Sequence, residues 1–362
     1  MSAALLGIGT ATPRGSVSQQ RAAELAAAYA PGGSDQQRLL KVLYRRTGVE
    51  RRGSVVLGGT PDAPAPGPLF PLPSDDGDRG PGTRARMEVY EREAPALALA
   101  AASAALTDAD VQSERISHLV VVTCTGFVAP GLDVWLVRKL GLPSSTARVQ
   151  VGFMGCHGAF VGLRTAGALA ATDADARVLM VAVELCSLHF QYGWEPEQVV
   201  ANALFADGAA AAVIGPEQAV AGALRLAAHG SWLAPGTEDA MTWRIGDRGF
   251  EMTLSAEVPL RIRESLREQV APWLEANGQT LEGIRSWAIH PGGSRIVTAV
   301  GQALGLVPAA LEASRSVLAQ HGNMSSPTIL FVLDRLRRED APRPWGAVAF
   351  GPGLTTEAML LY

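Results

Sequence analysis

Short apolar runs alternate along the chain with longer segments in which apolar residues recur every three or four positions. The runs predict strands and the periodic segments predict helices, because side chains repeat every two residues along a strand and every 3.6 along a helix. Predicted strands cover residues 118–123, 148–154, 178–184, 209–214, 286–289, 347–350 and 357–361. Predicted helices cover residues 19–30, 35–44, 133–140, 155–164, 199–203, 259–277, 294–304, 310–320 and 327–338. The alternation predicts an α/β protein with mixed sheets covered by helices on both faces.

One stretch, residues 57–83, breaks the pattern. Prolines stand at positions 61, 64, 66, 68, 71, 73 and 81, among glycines and aspartates. Such a composition offers too few apolar side chains to pack a core. It predicts a surface loop, and a tolerated insertion is favoured over a functional lid.

Cys156 stands where an apolar run ends, in Met154-Gly155-Cys156-His157-Gly158. The small residues that follow predict a tightly packed helix with the thiol in its first turn. Unpaired N–H groups and the helix dipole are expected to lower the pKa of such a thiol. A free cysteine taken alone is more often a small core residue.

His290 and Asn323 occur in similar turns. His290 ends a predicted strand and precedes Pro291-Gly292-Gly293, and Asn323 lies between two predicted helices. A histidine could stabilise a thiolate and move its proton, while histidine and asparagine could both donate to an oxyanion. Taken alone, His290 is better explained as a hydrogen-bonded core histidine and Asn323 as a helix cap.

Composition narrows the classes of protein. The chain has 362 residues, 48% of them hydrophobic and 18% charged, with a net charge of −4. That length suits two domain-sized halves, and the charge argues against a nucleic-acid partner. Three cysteines are too few and too scattered for a disulfide framework or a zinc site, so no metal is expected. We find no export signal and no apolar run of about 18 residues, and so expect a cytoplasmic protein without a membrane span.

Eight segments together carry a family resemblance. They are Gly7-Ile8-Gly9-Thr10-Ala11-Thr12-Pro13, Thr123-Cys124-Thr125-Gly126, Pro130-Gly131-Leu132-Asp133, the turn around Cys156, residues 203–211, residues 289–293 with 322–326, and residues 350–355. In this order the segments resemble those of type III polyketide synthases, the chalcone and stilbene synthase superfamily. The resemblance implies a thiolase-like five-layer αβαβα sandwich built from two related halves, residues 1–220 with the nucleophile and residues 221–362 with His290 and Asn323.

The resemblance also implies a chemistry. Cys156 would accept a starter acyl group from coenzyme A, and malonyl-CoA would lose CO₂ to give an enolate that attacks the cysteine thioester. His290 and Asn323 would donate to the oxyanions formed in these steps. Neither step requires a metal or a redox cofactor.

Pocket residues are assigned by the same matches. Phe205 corresponds to an aromatic residue between the CoA tunnel and the cavity, and Thr125 lies in a pocket-lining loop. Met252 stands where the family usually has Phe, and Ala129 where many plant members have Met, so the cavity is expected to be wider and softer. Two further residues, Cys186 and His189, belong to a segment similar to that of bacterial alkylpyrone and alkylresorcinol synthases.

CoA and a second subunit complete the predicted partners. Arg46 aligns with a basic residue that meets the CoA phosphates, and Gly293 belongs to the glycine-rich turn after His290. The resemblance implies that the loop of Ala129 reaches across a two-fold interface, and together with the Gly- and Ala-rich helix of Cys156 it predicts a homodimer. The starter is expected to be a fatty acyl-CoA, giving an alkylpyrone or alkylresorcinol. The alternatives are a malonyl-primed synthase of the tetrahydroxynaphthalene type and a single-condensation β-ketoacyl-ACP synthase III.

Overall fold

The computed structural model describes residues 2–30, 32–60, 63–75, 77–219 and 222–362. Its strands are β1 (Ala3–Ala11), β2 (Ser16–Ser18), β3 (Arg51–Gly53), β4 (Leu57–Thr60), β5 (Ala63–Pro66), β6 (His118–Thr123), β7 (Ala147–Gly152), β8 (Val178–Leu185), β9 (Asp207–Pro216), β10 (Leu224–Leu233), β11 (Met241–Gly246), β12 (Gly249–Leu254), β13 (Ser286–Ile289), β14 (Trp345–Gly351) and β15 (Thr355–Leu361). Its α-helices are α1 (Gln19–Ala27), α2 (Ser34–Arg46), α3 (Thr83–Asp108), α4 (Leu132–Leu140), α5 (Gly158–Ala170), α6 (Pro196–Leu204), α7 (Val258–Ala276), α8 (Ser294–Leu304), α9 (Glu312–His321) and α10 (Thr328–Arg338). Short 3-10 turns include Gly155–His157 and Cys186–His189.

The described strands build one mixed sheet in the order β13-β14-β15-β10-β1-β9-β8-β6-β7. The sheet has two parts, β13-β14-β15 and β1-β9-β8-β6-β7, and β10 joins them. Strand β10 pairs antiparallel with β1 at one end and with β15 along most of its length. Strands β7, β6 and β8 run parallel to one another, as do β13 and β14.

Three apolar cores show how the helices are layered. The central core packs α5 and α10, through residues such as Leu163 and Leu333, between the two parts of the sheet. A second core packs α3 and α4 on the outer face of β1, β6, β8 and β9, and a third packs α7 and α8 outside β13–β15. The predicted αβαβα sandwich is therefore confirmed.

Helix α3 was not predicted from the sequence. Its buried face is mostly alanine, including Ala98, Ala101 and Ala105, so it lacks a clear two-sided pattern. These small residues let the helix lie against β1, where Gly9 faces it. A Cβ atom on Gly9 would come within 2.2 Å of the Ala101 carbonyl oxygen.

The prediction for residues 57–83 is wrong in one respect. Pro61 lies outside the described residues. The segment is not only a surface loop, because β4 and β5 form an antiparallel hairpin and Phe70 is only 4% exposed. Phe70 packs with Tyr29 and Tyr192 in a small aromatic core. The prolines restrict the backbone conformations of the segment, but the Phe70 side chain packs it against the body of the protein.

The predicted boundary between residues 220 and 221 also lies outside the described residues. Strand β9 ends at Pro216 and β10 begins at Leu224. Among the helices of the described residues, none combines the length and the apolar character needed to cross a bilayer.

We expect Gly9→Val to destabilise the fold by roughly 3 kcal/mol, because the new side chain collides with the backbone of α3 rather than with a movable side chain. Gly167→Ala in α5 is the matched control, since a Cβ there makes only ordinary contacts at 3.5 Å or more. Urea unfolding of both variants measures the difference. A Gly9→Val midpoint equal to that of the parent would contradict the close approach of α3 to β1.

Candidate active site

Cys156 lies in a tight turn between β7 and α5. Phe153 and Gly155 both have positive φ values, 57° and 67°, which reverse the chain after the strand. Cys156 lies in the 3-10 turn that precedes α5. The sequence had predicted that it lies in the first turn of the helix itself. The residue is 6% exposed and lines a cavity.

Asn323 is brought to the thiol by a turn after α9. The turn begins at Gly322, and Asn323 pairs with Phe205 in a parallel bridge that includes a 2.9 Å bond from the Ala206 N–H to the Asn323 carbonyl. The Asn323 Oδ1 accepts from the Ser325 N–H at 2.8 Å. This bond orients the amide, so that Nδ2 donates toward the Cys156 Sγ, 3.9 Å away.

His290 lies at the same end of the sheet. It follows β13, which pairs with β14, and β14 ends at Gly351 against the ring of His157, the neighbour of Cys156. His290 is 1% exposed, and neither ring nitrogen has a hydrogen-bond partner among the described residues. Both nitrogens therefore have hydrogen-bonding capacity that the described residues do not use.

Burial decides the charge of these groups. It raises the pKa of the Cys156 thiol to about 11, despite the lowering effect of Ser325 and Asn323. Burial likewise lowers the pKa of His290 to about 3, and His157 acts in the same direction. The expectation that a helix start lowers the thiol pKa is thus wrong here, because desolvation outweighs the dipole. With these pKa values the Cys156 thiol and the His290 ring are both uncharged near pH 7.

A buried carboxyl group connects these turns through hydrogen bonds, and it was not predicted from the sequence. Glu184 is completely buried at the end of β8 and accepts from the Cys124 N–H, the Thr125 Oγ1 and the Ser326 Oγ at 2.7–3.1 Å. Burial raises the pKa of Glu184 to about 7, against the lowering effect of these donors. The available signal was a single acidic residue within an otherwise apolar strand.

The Cys156 cavity holds roughly 1310 Å³ of space not filled by protein atoms, its mouth included. The predicted pocket residues Thr125, Cys186, His189, Phe205 and Met252 all line it. Ala129 does not, because it lies on an exposed loop outside the cavity of its own chain.

Two further wall residues, Trp243 and Phe250, were not foreseen. The His189 ring stacks on Phe250 at 4.2 Å and meets Trp243 edge-on. His189 Nδ1 accepts from the Phe250 N–H and Nε2 donates to the Thr125 carbonyl. Burial lowers the pKa of His189 to about 3, so this ring is a neutral part of the wall.

The two predicted CoA-binding residues lie side by side at the surface. Ser294, which follows Gly293, donates through Oγ to the Arg46 carbonyl at 2.9 Å. Arg46 is exposed, and exposed Arg263 and Arg295 line a shallow groove beside Ser294. The end of α2 and the start of α8 therefore form one basic surface. Among the described residues, no three His, Cys, Asp or Glu side chains are grouped so that they could hold a metal ion.

Known proteins are similar to this chain over most of its length. Residues 71–218 match the N-terminal domain of the chalcone and stilbene synthases, and residues 225–362 match their C-terminal domain. The chain is 36% identical over 264 residues to the alpha-pyrone synthesis polyketide synthase-like Pks18 of Mycobacterium tuberculosis, a match that covers 71% of this chain and 67% of that protein. It is 37% identical over 263 residues to the 1,3,6,8-tetrahydroxynaphthalene synthase of Streptomyces peucetius subsp. caesius, covering 71% and 70% of the two chains.

Among solved structures, PKS-I from the brown algae Ectocarpus siliculosus superposes with a TM-score of 0.92 at 31% identity, covering 99% of this chain and 98% of that one. The domain matches span most of the sequence, including Cys156, His290 and Asn323. The chain therefore belongs to the chalcone and stilbene synthase family and is a type III polyketide synthase.

Proposed function

We propose that the protein loads a fatty acyl starter from coenzyme A onto Cys156 and extends it with malonyl-CoA to an alkylpyrone or alkylresorcinol. The observation that carries this proposal is the wall of the cavity, which is mostly apolar and includes Cys156. Among the described residues, Cys156 is the cysteine that Asn323 contacts. An apolar wall favours an alkyl chain, since burying each CH₂ group contributes about 0.8 kcal/mol.

Loading begins with the transfer of a proton. The Cys156 thiol gives its proton to His290 as sulfur attacks the thioester carbonyl of the acyl-CoA. The oxygen that becomes negative accepts hydrogen bonds from Asn323 Nδ2 and the protonated ring. Collapse of this intermediate expels CoA, which takes the proton from His290, and leaves the acyl group on sulfur.

Extension uses the same donors. Malonyl-CoA loses CO₂, and the electron pair of the broken bond becomes an enolate whose oxygen accepts from His290 and Asn323. The enolate carbon then attacks the acyl carbonyl on Cys156. The thioester bond to sulfur breaks, and a β-ketoacyl-CoA two carbons longer is released for another round.

CoA would reach the cavity from the basic surface of Arg46 and Gly293. Exposed arginines beside the N-terminus of α8 suit the phosphates of the cofactor moiety. Phe205 and Met252 line the cavity together with Cys156. We place both residues between this entrance and the thiol. The predicted cytoplasmic location remains a prediction.

The competing substrate is malonyl-CoA as its own starter. It is favoured by the similarity to a tetrahydroxynaphthalene synthase. The apolar wall argues against it, because a small polar starter gains little from so much carbon surface. The family match favours repeated condensation over the single condensation of a β-ketoacyl-ACP synthase III.

We propose further that two copies form a C₂ dimer. Phe127 is 45% exposed and stacks on Phe153, with Met154 38% exposed beside the nucleophile. These apolar side chains belong to the loop of Ala129 and the turn of Cys156, so a second copy covering them would seal the site.

We expect Cys156→Ala to lose acyl loading completely, because the acyl acceptor is removed. Incubation with acyl-CoA followed by mass spectrometry of tryptic peptides detects the adduct. Cys124 and Cys186 remain in the variant as internal controls, and an acyl group on either would show that the nucleophile is assigned wrongly.

We expect His290→Ala and Asn323→Ala to slow malonyl-CoA decarboxylation about 10²- to 10³-fold, as loss of an oxyanion donor does. Release of labelled CO₂ measures the rate without requiring a starter. A variant that decarboxylates at the parent rate would remove that residue from the oxyanion site.

We expect the parent enzyme to use medium and long acyl-CoA starters with a higher kcat/KM than aromatic ones. Met252→Phe should shift the range to shorter chains, because a stiff ring narrows the wall, whereas Met252→Leu keeps the volume and serves as the control. Products are identified by mass spectrometry. If malonyl-CoA alone gives the main product, undiminished by fatty acyl-CoA, the fatty starter is excluded.

We expect sedimentation to show a dimer, and Phe127→Glu to shift it toward monomer. Ala129→Trp should narrow the starter range only if a second copy places this loop at the cavity, because Ala129 is outside the cavity of its own chain. A parent protein that sediments as a monomer at all concentrations would contradict the dimer.

A further inference from the structure

The Cys156 cavity continues well beyond the thiol. The turn Cys186–His189 follows its wall, and Cys186 lies close enough to Cys156 for the charge of one to affect the pKa of the other. The next residue, Phe190, also lines the cavity and belongs to an aromatic cluster of Tyr29, Phe70, Phe190 and Tyr192. One continuous wall therefore leads from the nucleophile to these rings.

Helix α1 forms one side of this far region with very small side chains. Ala22 and Ala26, four residues apart, face the cavity from the same side of the helix. Each is 5% exposed, so both are enclosed by protein. Alanines at these positions leave a space that larger residues would fill.

The opposite side comes from residues of the proline-rich hairpin and its base. Val56, Leu57, Pro66 and Gly67 line the cavity there. The hairpin is fixed to the body of the protein, because the Val55 N–H donates to the buried Asp207 carboxylate at 2.7 Å. A segment that the sequence presents as a surface loop thus supplies a wall of the cavity.

The aromatic cluster closes the end. Tyr29 and Phe190 lie 5.3 Å apart, Phe70 and Phe190 5.7 Å, between ring centroids. The Tyr29 hydroxyl donates to the Phe70 carbonyl at 2.8 Å, and the Tyr192 hydroxyl donates to the Pro71 carbonyl. Because both hydroxyl groups are bound to the backbone, the cluster requires no polar group from a ligand.

Arg86 secures the cluster from behind. It is fully buried without a carboxylate partner among the described residues, and it donates to the carbonyls of Pro81, Leu188 and Phe190 at 2.7–3.0 Å. Its guanidinium lies 5.1 Å from the centre of the Phe70 ring. Arg86 therefore connects the second half of the proline-rich segment, at Phe70 and Pro81, to the wall at Phe190.

We propose that the space between α1, the hairpin and the aromatic cluster is a compartment for the terminal part of the starter acyl chain, with Ala26 and Phe70 setting the chain length. We call it the distal compartment. This inference rests on the proposed function and adds the residues that select among fatty starters. The walls that α1, the hairpin and the aromatic cluster contribute are mostly apolar, and the hydroxyl groups of Tyr29 and Tyr192 are bound to backbone carbonyls, so the compartment suits methylene and methyl groups.

The test measures acylation of Cys156 by acyl-CoAs of about four to 18 carbons, without malonyl-CoA, by intact-protein mass spectrometry. The readout is the ratio of long-chain to short-chain loading, which does not depend on how much of the protein is folded. Ala26→Phe should lower the ratio at least tenfold, since loss of one buried CH₂ changes binding about fourfold. Phe70→Ala should raise the longest chain accepted. Ala27→Phe, one residue further along α1 and outside the cavity lining, is the matched control and should leave the ratio unchanged.

Photo-crosslinking gives a second, independent readout. A fatty acyl-CoA with a diazirine at its terminal carbon should label residues 22–29 or 66–70 of the parent enzyme. An unchanged ratio in both Ala26→Phe and Phe70→Ala, or labelling confined to other residues, would overturn the compartment while the parent still loads fatty chains. A parent that loads no fatty chain, yet makes product from malonyl-CoA alone, would instead overturn the proposed function.

Discussion

The arrangement of the site depends on one buried carboxylate. Glu184 accepts hydrogen bonds from the ends of two separate segments: Cys124 and Thr125 after β6, and Ser326 in the turn that carries Asn323. These hydrogen bonds favour the ionised form of Glu184, whereas burial favours the neutral form, and the pKa of the group is about 7 as a result. The same Cys124 accepts the Gly155 N–H through its sulfur, next to the nucleophile. The turn of Cys156 and the turn of Asn323 therefore keep their relative positions through Glu184.

Much of this could be predicted from the sequence, because the informative signals are local. Turns built from glycine and a single reactive residue indicate Cys156, His290 and Asn323 as candidates. Among the described residues, apolar runs locate seven of the 15 strands, and periodic segments locate nine of the ten α-helices. The pKa of Cys156 could not be predicted in this way. It depends on how much water the surrounding segments exclude, and residues 156, 184 and 323 are far apart in the chain.

Other features escaped because their signals are weak or distributed. Helix α3 is alanine-rich, so its pattern is flat although ten of its residues are buried. In residues 57–83, the side chains that line the cavity stand among prolines that are typical of loops. The cavity is formed by residues from α1, the hairpin, β12 and the turn after β8, and no pattern in any one of these segments indicates that they enclose a common space.

The position of β10 in the sheet affects how the chain folds during its synthesis. It fills the place between β1 and β15 and is the link through which the sheet is continuous. While the ribosome is still producing the second half, β1 has β9 on one side and an open edge on the other. An unpaired edge of this kind is a template for pairing with another chain, so the nascent protein is exposed to aggregation until β10 is synthesised. A fragment that stops before residue 224 would keep that open edge permanently.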